Sequence, residues 1–438
     1  MAIQEIDSDP SLDGAAGAPD ADATIWQNGA FVRLFSAAAI SYVGSFVTRT
    51  ALPLAAIYGL AAGPMELAAI RSFEFVGWLL IGLVAGAWVD RLRRRPVMIA
   101  ADLGRAVILG SIPIAALAGR LGLLHLVVAA FLAAILSVFF DSASSAYLPS
   151  VVARARLVSA NSALSASRSI AEFTGFGISG ILVQILTAPV AIAVDAVSFI
   201  GSALLLATIR RPEPARPPAV DRESVVHEIR EGIGVVAHHP ILRALAISHA
   251  ANHLLWGVFG ATYLLFAADD IGLPAAAIGV IAAIGGLGSF FGAAVAARLV
   301  ARLGAGRTML LGAVGTAIFS SLIPLAPTGA VLIGGAILVT QQIVGDAFGT
   351  IYEVVEESVT QTIVHDRVLG RVNATVTFVT TTTALAGSII GGVIGAAFGL
   401  RVAFVVGILG AVVAALVVWL SPVGRLGTVE EAAGPASA

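Results

Sequence analysis

Hydrophobic and polar positions alternate along this chain on the scale of whole helices. Apolar stretches fall near residues 32–60, 65–88, 97–118, 123–147, 158–185, 188–209, 243–267, 275–298, 308–326, 329–352, 373–397 and 401–420, with mostly short polar connections between them. About 20 apolar residues suffice for a helix to cross the hydrocarbon core of a bilayer. The pattern predicts an all-α membrane protein with twelve transmembrane helices. One connection is long, residues 210–242. It opens on the Pro- and Arg-rich RRPEPARPPAVDRE and continues as SVVHEIREGIGVVAHH, where Val225, Val226, Ile229, Ile233 and Val236 recur at helical spacing. This reads as a linker followed by an amphipathic surface helix, and it divides the chain into two groups of six helices.

Composition points to the same class. Of 438 residues, 58% are hydrophobic and 12% charged, against about 25% charged in ordinary soluble domains; the mean hydropathy is +0.96. The absence of cysteine excludes disulfides, thiol catalysis and thiolate metal sites. All 25 basic side chains are arginine, which excludes Schiff-base and lysine-nucleophile chemistry. There is no Walker loop and no constellation of soluble catalysis, so neither an enzyme, a cofactor nor a nucleic-acid partner is expected. The first thirty residues contain six acids, no base and no long apolar run, unlike a secretory signal.

Arginine placement adds orientation. The even-numbered connections hold sixteen arginines and the odd-numbered ones only Arg120 and Arg401, so the positive-inside rule puts both termini in the cytoplasm. The expected organisation is a disordered cytoplasmic tail over 1–30, a six-helix bundle over 31–209, a cytoplasmic linker with its amphipathic helix over 210–242, a second six-helix bundle over 243–421 and a cytoplasmic tail over 422–438, in the cell membrane as a monomer.

The two groups repeat in sequence. ANSALSASRSIAEFTGFGISGIL and VNATVTFVTTTTALAGSIIGGVI align from Asn161 to Asn373, an offset of 212 that maps Gly175 to Gly387, Gly180 to Gly392 and Asp141 to Glu353. Gly82 and Gly86 resemble Gly288 and Gly292, a small-xxx-small spacing that lets helices approach closely. Parallel six-helix repeats are a transporter architecture, with the substrate site between the halves near mid-membrane.

GAWVDRLRRR, between the second and third helices, resembles the loop motif of the major facilitator superfamily. Gly86, Asp90, Arg91, Arg94 and Arg95 match it, and Arg93 stands where the motif has a second glycine. VMIAADLGRA, SSAYLPSVV, SANSALSASRS, EGIGVVAHHPILRAL and DRVLGRVNA narrow the resemblance to the efflux branch that contains enterobactin exporters and macrolide or multidrug pumps, over about residues 28 to 420. The resemblance implies that the loop clamps the cytoplasmic ends of both halves in the outward-open state. It implies pairing of Asp90 with Arg371, and of Arg91, Arg94 or Arg95 with Asp141. The alternative is an anchor that meets anionic lipid and fixes topology, which would not require Asp90.

Charges inside the spans are functional candidates, because each costs roughly 2.5–3.5 kcal/mol at a helix centre. Arg71 and Glu74 are three apart and Arg168 and Glu172 four apart, so each pair shares a face and is either a fixed ion pair or part of coupling. Arg49 has no acid near it in sequence; it is read as lumen-facing, with Glu74 or Glu172 as counter-charge. Asp195 is read as structural. Asp346, Glu353, Glu356 and Glu357 crowd the tenth span without a base until Arg367, and Asp346, deepest of the four, is the leading proton-site candidate, followed by Glu353, Glu172 and Glu74. Glu356 and Glu357 are expected at a solvated mouth. His249, Asn252 and His253 are candidate cavity-lining or relay residues, or packed hydrogen-bonding ones; two imidazoles without a nearby carboxylate make no metal site. The Thr380–Thr383 run is expected to bond its own backbone. Without ATP, an ion gradient is the remaining energy source, and the chain reads as an exporter of small amphiphilic molecules by proton antiport. A facilitator or lipid flippase of the same fold, or a membrane sensor, are the alternatives.

Overall fold

The computed structural model describes residues 24–89, 92–210, 225–364, 366–429 and 431. Asp90 and Arg91 of the loop motif, residues 1–23, 430 and 432–438 of the expected tails, and residues 211–224 of the linker lie outside them. Of Gly86, only its place on a helix is described.

The fold is all-α. Its helices are α1 Gly29–Leu60, α2 Pro64–Val89, α3 Arg94–Leu117, α4 Leu123–Val151, α5 Leu157–Ile185, α6 Ala188–Ala207, α7 Val225–His238, α8 Pro240–Leu265, α9 Ala275–Leu303, α10 Ala305–Ser320, α11 Val331–Thr340, α12 Asp346–Ile363, α13 Asp366–Phe398 and α14 Leu400–Leu420. Helices are the natural outcome for such segments, since in lipid every backbone polar group must be satisfied within the element. Two π-turns interrupt the regular pattern: Phe266–Asp270 extends α8, and Gln341–Gly345 joins α11 to α12 as one continuous span. Local signals set the ends. The Asn28 side chain accepts hydrogen bonds from the backbone N–H of Ala30 and Phe31 to start α1. Gly304 and Gly399, at φ 87° and 91°, turn α9 into α10 and α13 into α14 without a Cβ clash.

Among the described residues ten helical segments are long and apolar enough to cross a membrane, not the expected twelve. Outside that count are α2, with 26 residues, and α5, with 29. On α5, Arg168, Glu172 and a run of small polar residues lower the apolar character, whereas on α2 residues 83–87 are described only by their place on the helix and its apolar second half does not enter the count. Several helices also outrun their apolar cores: α12 continues to Ile363 and α13 begins at Asp366, so Arg371 sits on a helix.

The 212-residue offset is visible in the packing. A Cβ on Gly175 of α5 would lie 2.6 Å from the Phe46 Cβ on α1, and one on Gly387 of α13 would lie 2.4 Å from the Leu254 carbonyl on α8. Gly180 and Gly392 instead meet the opposite half of the chain: a Cβ on Gly180 would stand 2.7 Å from the Gly279 Cα on α9, and one on Gly392 2.3 Å from the Ala68 Cβ on α2. Gly288 and Gly292 hold α9 against the backbone around Gln342–Ala347, as their spacing predicts. Gly82 does not act likewise; the close approach of α2 to α4 is at Gly77, beside the Phe131 carbonyl.

The linker helix α7 docks on α13. Val236 is buried with Leu242, Val364 and Val372, and Glu231 is ion-paired with Arg371. The expected apolar stripe is only partly used, since Ile233 is half-exposed. With α7 as a landmark, the molecule has an α7 side and a far side, the latter carrying the α1–α2, α3–α4 and α5–α6 connections.

Candidate functional site

Charged side chains from α1, α2 and α5 converge midway along the first six helices. Arg49 lies near the middle of α1, on the same helical face as Tyr42, and its side chain is exposed. It makes no hydrogen bond or ion pair among the described residues. The group acting on it most strongly is Arg71, ahead of Glu74, Glu172 and Arg168. Arg71 pairs with Glu74, as the spacing predicts. Its guanidinium lies 4.9 Å from the Phe75 ring centroid, and α8 approaches it at Gly260. Its Nε is buried without a partner.

Arg168 and Glu172 do not pair with each other among the described residues. Arg168 lies 5.6 Å from the Tyr42 ring centroid and is the strongest cationic neighbour of Asp141, while Glu172 lies in the field of Asp346 and Glu353 from the other half. Tertiary neighbours thus draw the two side chains apart. No ion pair joins Asp141 to Arg94 or Arg95 among the described residues; its second cationic neighbour is Arg105, and Arg95 donates to the carbonyls of Leu206, at 2.8 Å, and Ala207.

The most deeply buried ion pair among the described residues was not singled out from sequence. Asp102 and Arg105 on α3 form an ion pair at 0% and 3% side-chain exposure. Ser41 accepts from Arg105 at 3.1 Å, and the guanidinium lies 4.8 and 4.2 Å from the ring centroids of Phe140 and Phe199. The i, i+3 spacing in AADLGRA carried the same signal as Arg71 and Glu74. Asp195 has the structural surroundings expected of it: buried on α6, it accepts hydrogen bonds from Thr48 and, at 3.1 Å, from Ser198.

Asp346 opens α12 directly after the π-turn. Its Oδ1, the Gln341 Oε1 and the Tyr263 hydroxyl are all buried without a hydrogen-bond partner. Beside them is a cavity of about 10 Å³ lined by Trp256, Thr316, Ser320, Gln341 and Asp346, near the volume needed for a single water. A π-turn displaces the helix register and often marks a functional position.

The histidines fall elsewhere. His249 lies 3.1 Å from a Glu356 oxygen and stacks on His253, their centroids 4.5 Å apart. The Tyr352 hydroxyl donates to Ser248 at 2.8 Å and Ser248 to the Ala414 carbonyl at 3.1 Å. Asn252 is buried and Glu353 exposed. Glu356 is therefore a buried partner of His249 and not part of a solvated mouth; Glu357 is exposed and accepts from Gln361 at 3.0 Å. No group of three metal-ligating side chains occurs among the described residues.

Two polar stripes run from the α7 side toward the converging charges. On α5, Asn161, Ser165, Arg168 and Glu172 are exposed at helical spacing, and on α13 Asn373 and Thr377 occupy the positions 212 residues on. Thr380, Thr382 and Thr383 bond backbone carbonyls of their own helix. On the far side, α5 and α9 close on each other at Gly180 and Gly279, and the Ser72 and Ser388 hydroxyls meet at 3.3 Å between α2 and α13. Near the Gly180–Gly279 contact, a cleft of about 380 Å³ is lined by Tyr58, Val183, Gln184 and residues 272–275.

Comparison with known proteins places these features in context. The sequence model of the family described as transmembrane secretion effector matches residues 23–435. A multidrug efflux pump, Tap, of Mycolicibacterium fortuitum is 34% identical over 176 residues, 39% of this chain and 43% of that protein. An MFS-type transporter of Mycobacterium tuberculosis is 33% identical over 147 residues, a third of each chain. The matched stretches span less than half of these relatives' length. Among solved structures, a bacterial homologue of the lysosomal transporter Spinster superposes with a TM-score of 0.70 at 15% identity, over 90% of this chain and 97% of that one. A bacterial homologue of the iron transporter ferroportin gives 0.72 at 16% identity, over 90% and 98%. The family and the matching folds are those of transporters, not enzymes.

Proposed function

The chain belongs to the transmembrane secretion effector family, within the major facilitator superfamily, and from that premise we propose that it is a proton-coupled exporter of small amphiphilic molecules working by alternating access. Helices α2 and α5 count as spans in this reading. The protein then has twelve, in two halves joined by α7, with the α7 side and both termini cytoplasmic. The observation that carries the reading is the meeting of carboxylates from both halves: Glu172 of α5 lies in the field of Asp346 and Glu353 of α12. This group is approached by polar stripes on the α7 side and shut off by the Gly180–Gly279 contact on the far side. The likeness to Tap, a multidrug efflux pump, supports export and a drug-like cargo.

Asp346 is the proton site in this proposal. Its carboxyl is buried beside two other unpartnered oxygens, and neighbouring carboxylates in a low-dielectric site favour proton uptake. One inward proton supplies about 2.3 kcal/mol per 100 mV, enough to move a neutral amphiphile uphill. Asp90 and Arg371 form the state-dependent clamp in this proposal, with Gly86, Arg91, Arg94, Arg95 and Asp141 around it; among the described residues Arg371 is ion-paired with Glu231 of α7.

Accumulation of an amphiphilic dye in inverted vesicles under an imposed pH gradient, alongside counterflow without one, tests the proposal. Asp346→Asn is expected to lose gradient-driven accumulation and keep counterflow. Normal accumulation by this variant would move the proton site to Glu353, Glu172 or Glu74. Wild-type transport indifferent to the gradient would favour the facilitator or flippase.

A further inference from the structure

Arg49 has no role in the proton scheme, since a guanidinium stays charged at any physiological pH. Nor is it a member of an ion pair. Neither a carboxylate nor a hydrogen-bond acceptor engages it among the described residues, and its dominant electrostatic neighbour, Arg71, has the same sign. The two acids nearest in influence are differently placed: Glu74 is bound by Arg71, and Glu172 lies with Asp346 and Glu353. Yet the side chain is exposed near the middle of a long span, on the face of α1 that meets charged groups of α2 and α5. A cation left accessible and unpaired there has its coordination to offer to something that arrives.

We propose that Arg49, with Arg71 and Arg168 beside it, binds the anionic headgroup of an amphiphilic cargo, a carboxylate or a phosphate, between the two halves. The inference rests on the alternating-access reading and narrows its substrate class. Three features carry it. A guanidinium presents paired donors in a planar fork that matches the two oxygens of a carboxylate or phosphate. Gly260 of α8 in the other half packs on the Arg71 Nε, so an anion held by Arg49 and the outer donors of Arg71 lies beside the boundary between the halves. Phe173, next to Glu172 on α5, is partly exposed and gives an apolar surface for the rest of the molecule. The cargo's charge is then met on α1, α2 and α5 while the proton is handled on α12.

The test is binding to the full-length protein in a non-ionic detergent, without any gradient, using 11-(dansylamino)undecanoic acid, its methyl ester and the trimethylammonium analogue of the same chain. Wild type is expected to bind the carboxylate at least about tenfold more tightly than the other two. Arg49→Gln should bring the carboxylate down to the level of the ester and leave the ester unchanged, and Arg49→Lys should keep part of the preference. Equal affinity for carboxylate and ester in wild type, tighter binding of the ammonium probe, absence of carboxylate binding, or an undiminished preference in a folded Arg49→Gln protein would each overturn the proposal. The wild-type comparison stands even if the variants do not fold. Competition by phosphatidylglycerol would identify a lipid headgroup as the source of the anion, and failure to compete a non-lipid amphiphile; both keep the anion at Arg49. Asp346→Asn should retain the preference, so loss of proton coupling and loss of anion recognition are told apart.

Discussion

At the scale of single residues, two buried acids make opposite demands. Asp102 is in contact with Arg105, and removing one member of a buried pair leaves the other charge uncompensated, at a cost of about 3–5 kcal/mol. Asp102→Ala should therefore lower thermal stability in detergent sharply, whereas the double variant Asp102→Leu with Arg105→Met should recover most of it. If the single change left the melting temperature unaltered, the pair would not be structural. Asp195 holds α6 to α1 through Thr48. Asp195→Asn keeps the shape and one acceptor, so a milder loss of about 1–3 kcal/mol is expected, with transport per folded molecule retained. Arg71 with Glu74 was legible in the sequence because i, i+3 spacing alone brings the groups together. Of the two readings of Arg168 with Glu172, the fixed ion pair fails because Tyr42 and Asp141 on one side, and α12 on the other, draw the two side chains apart.

At the scale of elements, the α5–α9 contact on the far side depends on the absence of two side chains. A Cβ on Gly180 would stand 2.5 Å from the Ala275 carbonyl and 2.7 Å from the Gly279 Cα, so backbone would have to move. Gly180→Leu is expected to hold the far ends of α5 and α9 apart. Cysteines introduced at their tips in this cysteine-free chain should show a longer spin-label distance than in the parent; an unchanged distance would remove the contact from any gating role. Another boundary responds to pH. The His239 Nδ1 accepts the Leu242 N–H at 3.4 Å to cap α8, and partial burial holds its imidazole below the usual histidine range. A group whose folded pKa is depressed contributes stability that is complete above its unfolded value and lost as pH falls through the folded one. Amide protection factors at the start of α8, corrected for the intrinsic pH dependence of exchange, should accordingly fall on acidification below about pH 6.5 and not on raising the pH, and His239→Ala should abolish that dependence.

At the scale of the whole molecule, the arginine asymmetry makes a topological prediction. A cysteine at Gly122 should react with an impermeant reagent from outside intact cells and one at Ala153 only after permeabilisation; the reverse pattern would invert the assignment of the α7 side to the cytoplasm. The sequence by itself determined the solvent, the all-helical class and the 212-residue echo, because hydrophobic length and glycine spacing are local properties that survive in one dimension. It also placed Asp346 and Arg49 among the candidates, since a charge in an apolar stretch stands out wherever it occurs. Which charges meet was decided only by tertiary structure. The turn of α8 that puts His249 on Glu356, the approach of Asp346 to Tyr263, and the packing that closes Arg105 against two rings all depend on groups more than thirty residues away, and the π-turn that sets Asp346 beside Gln341 leaves no mark in the hydrophobic pattern. Side-chain partnership in a helical membrane protein is fixed by which helix faces which, and hydrophobic periodicity does not encode that choice.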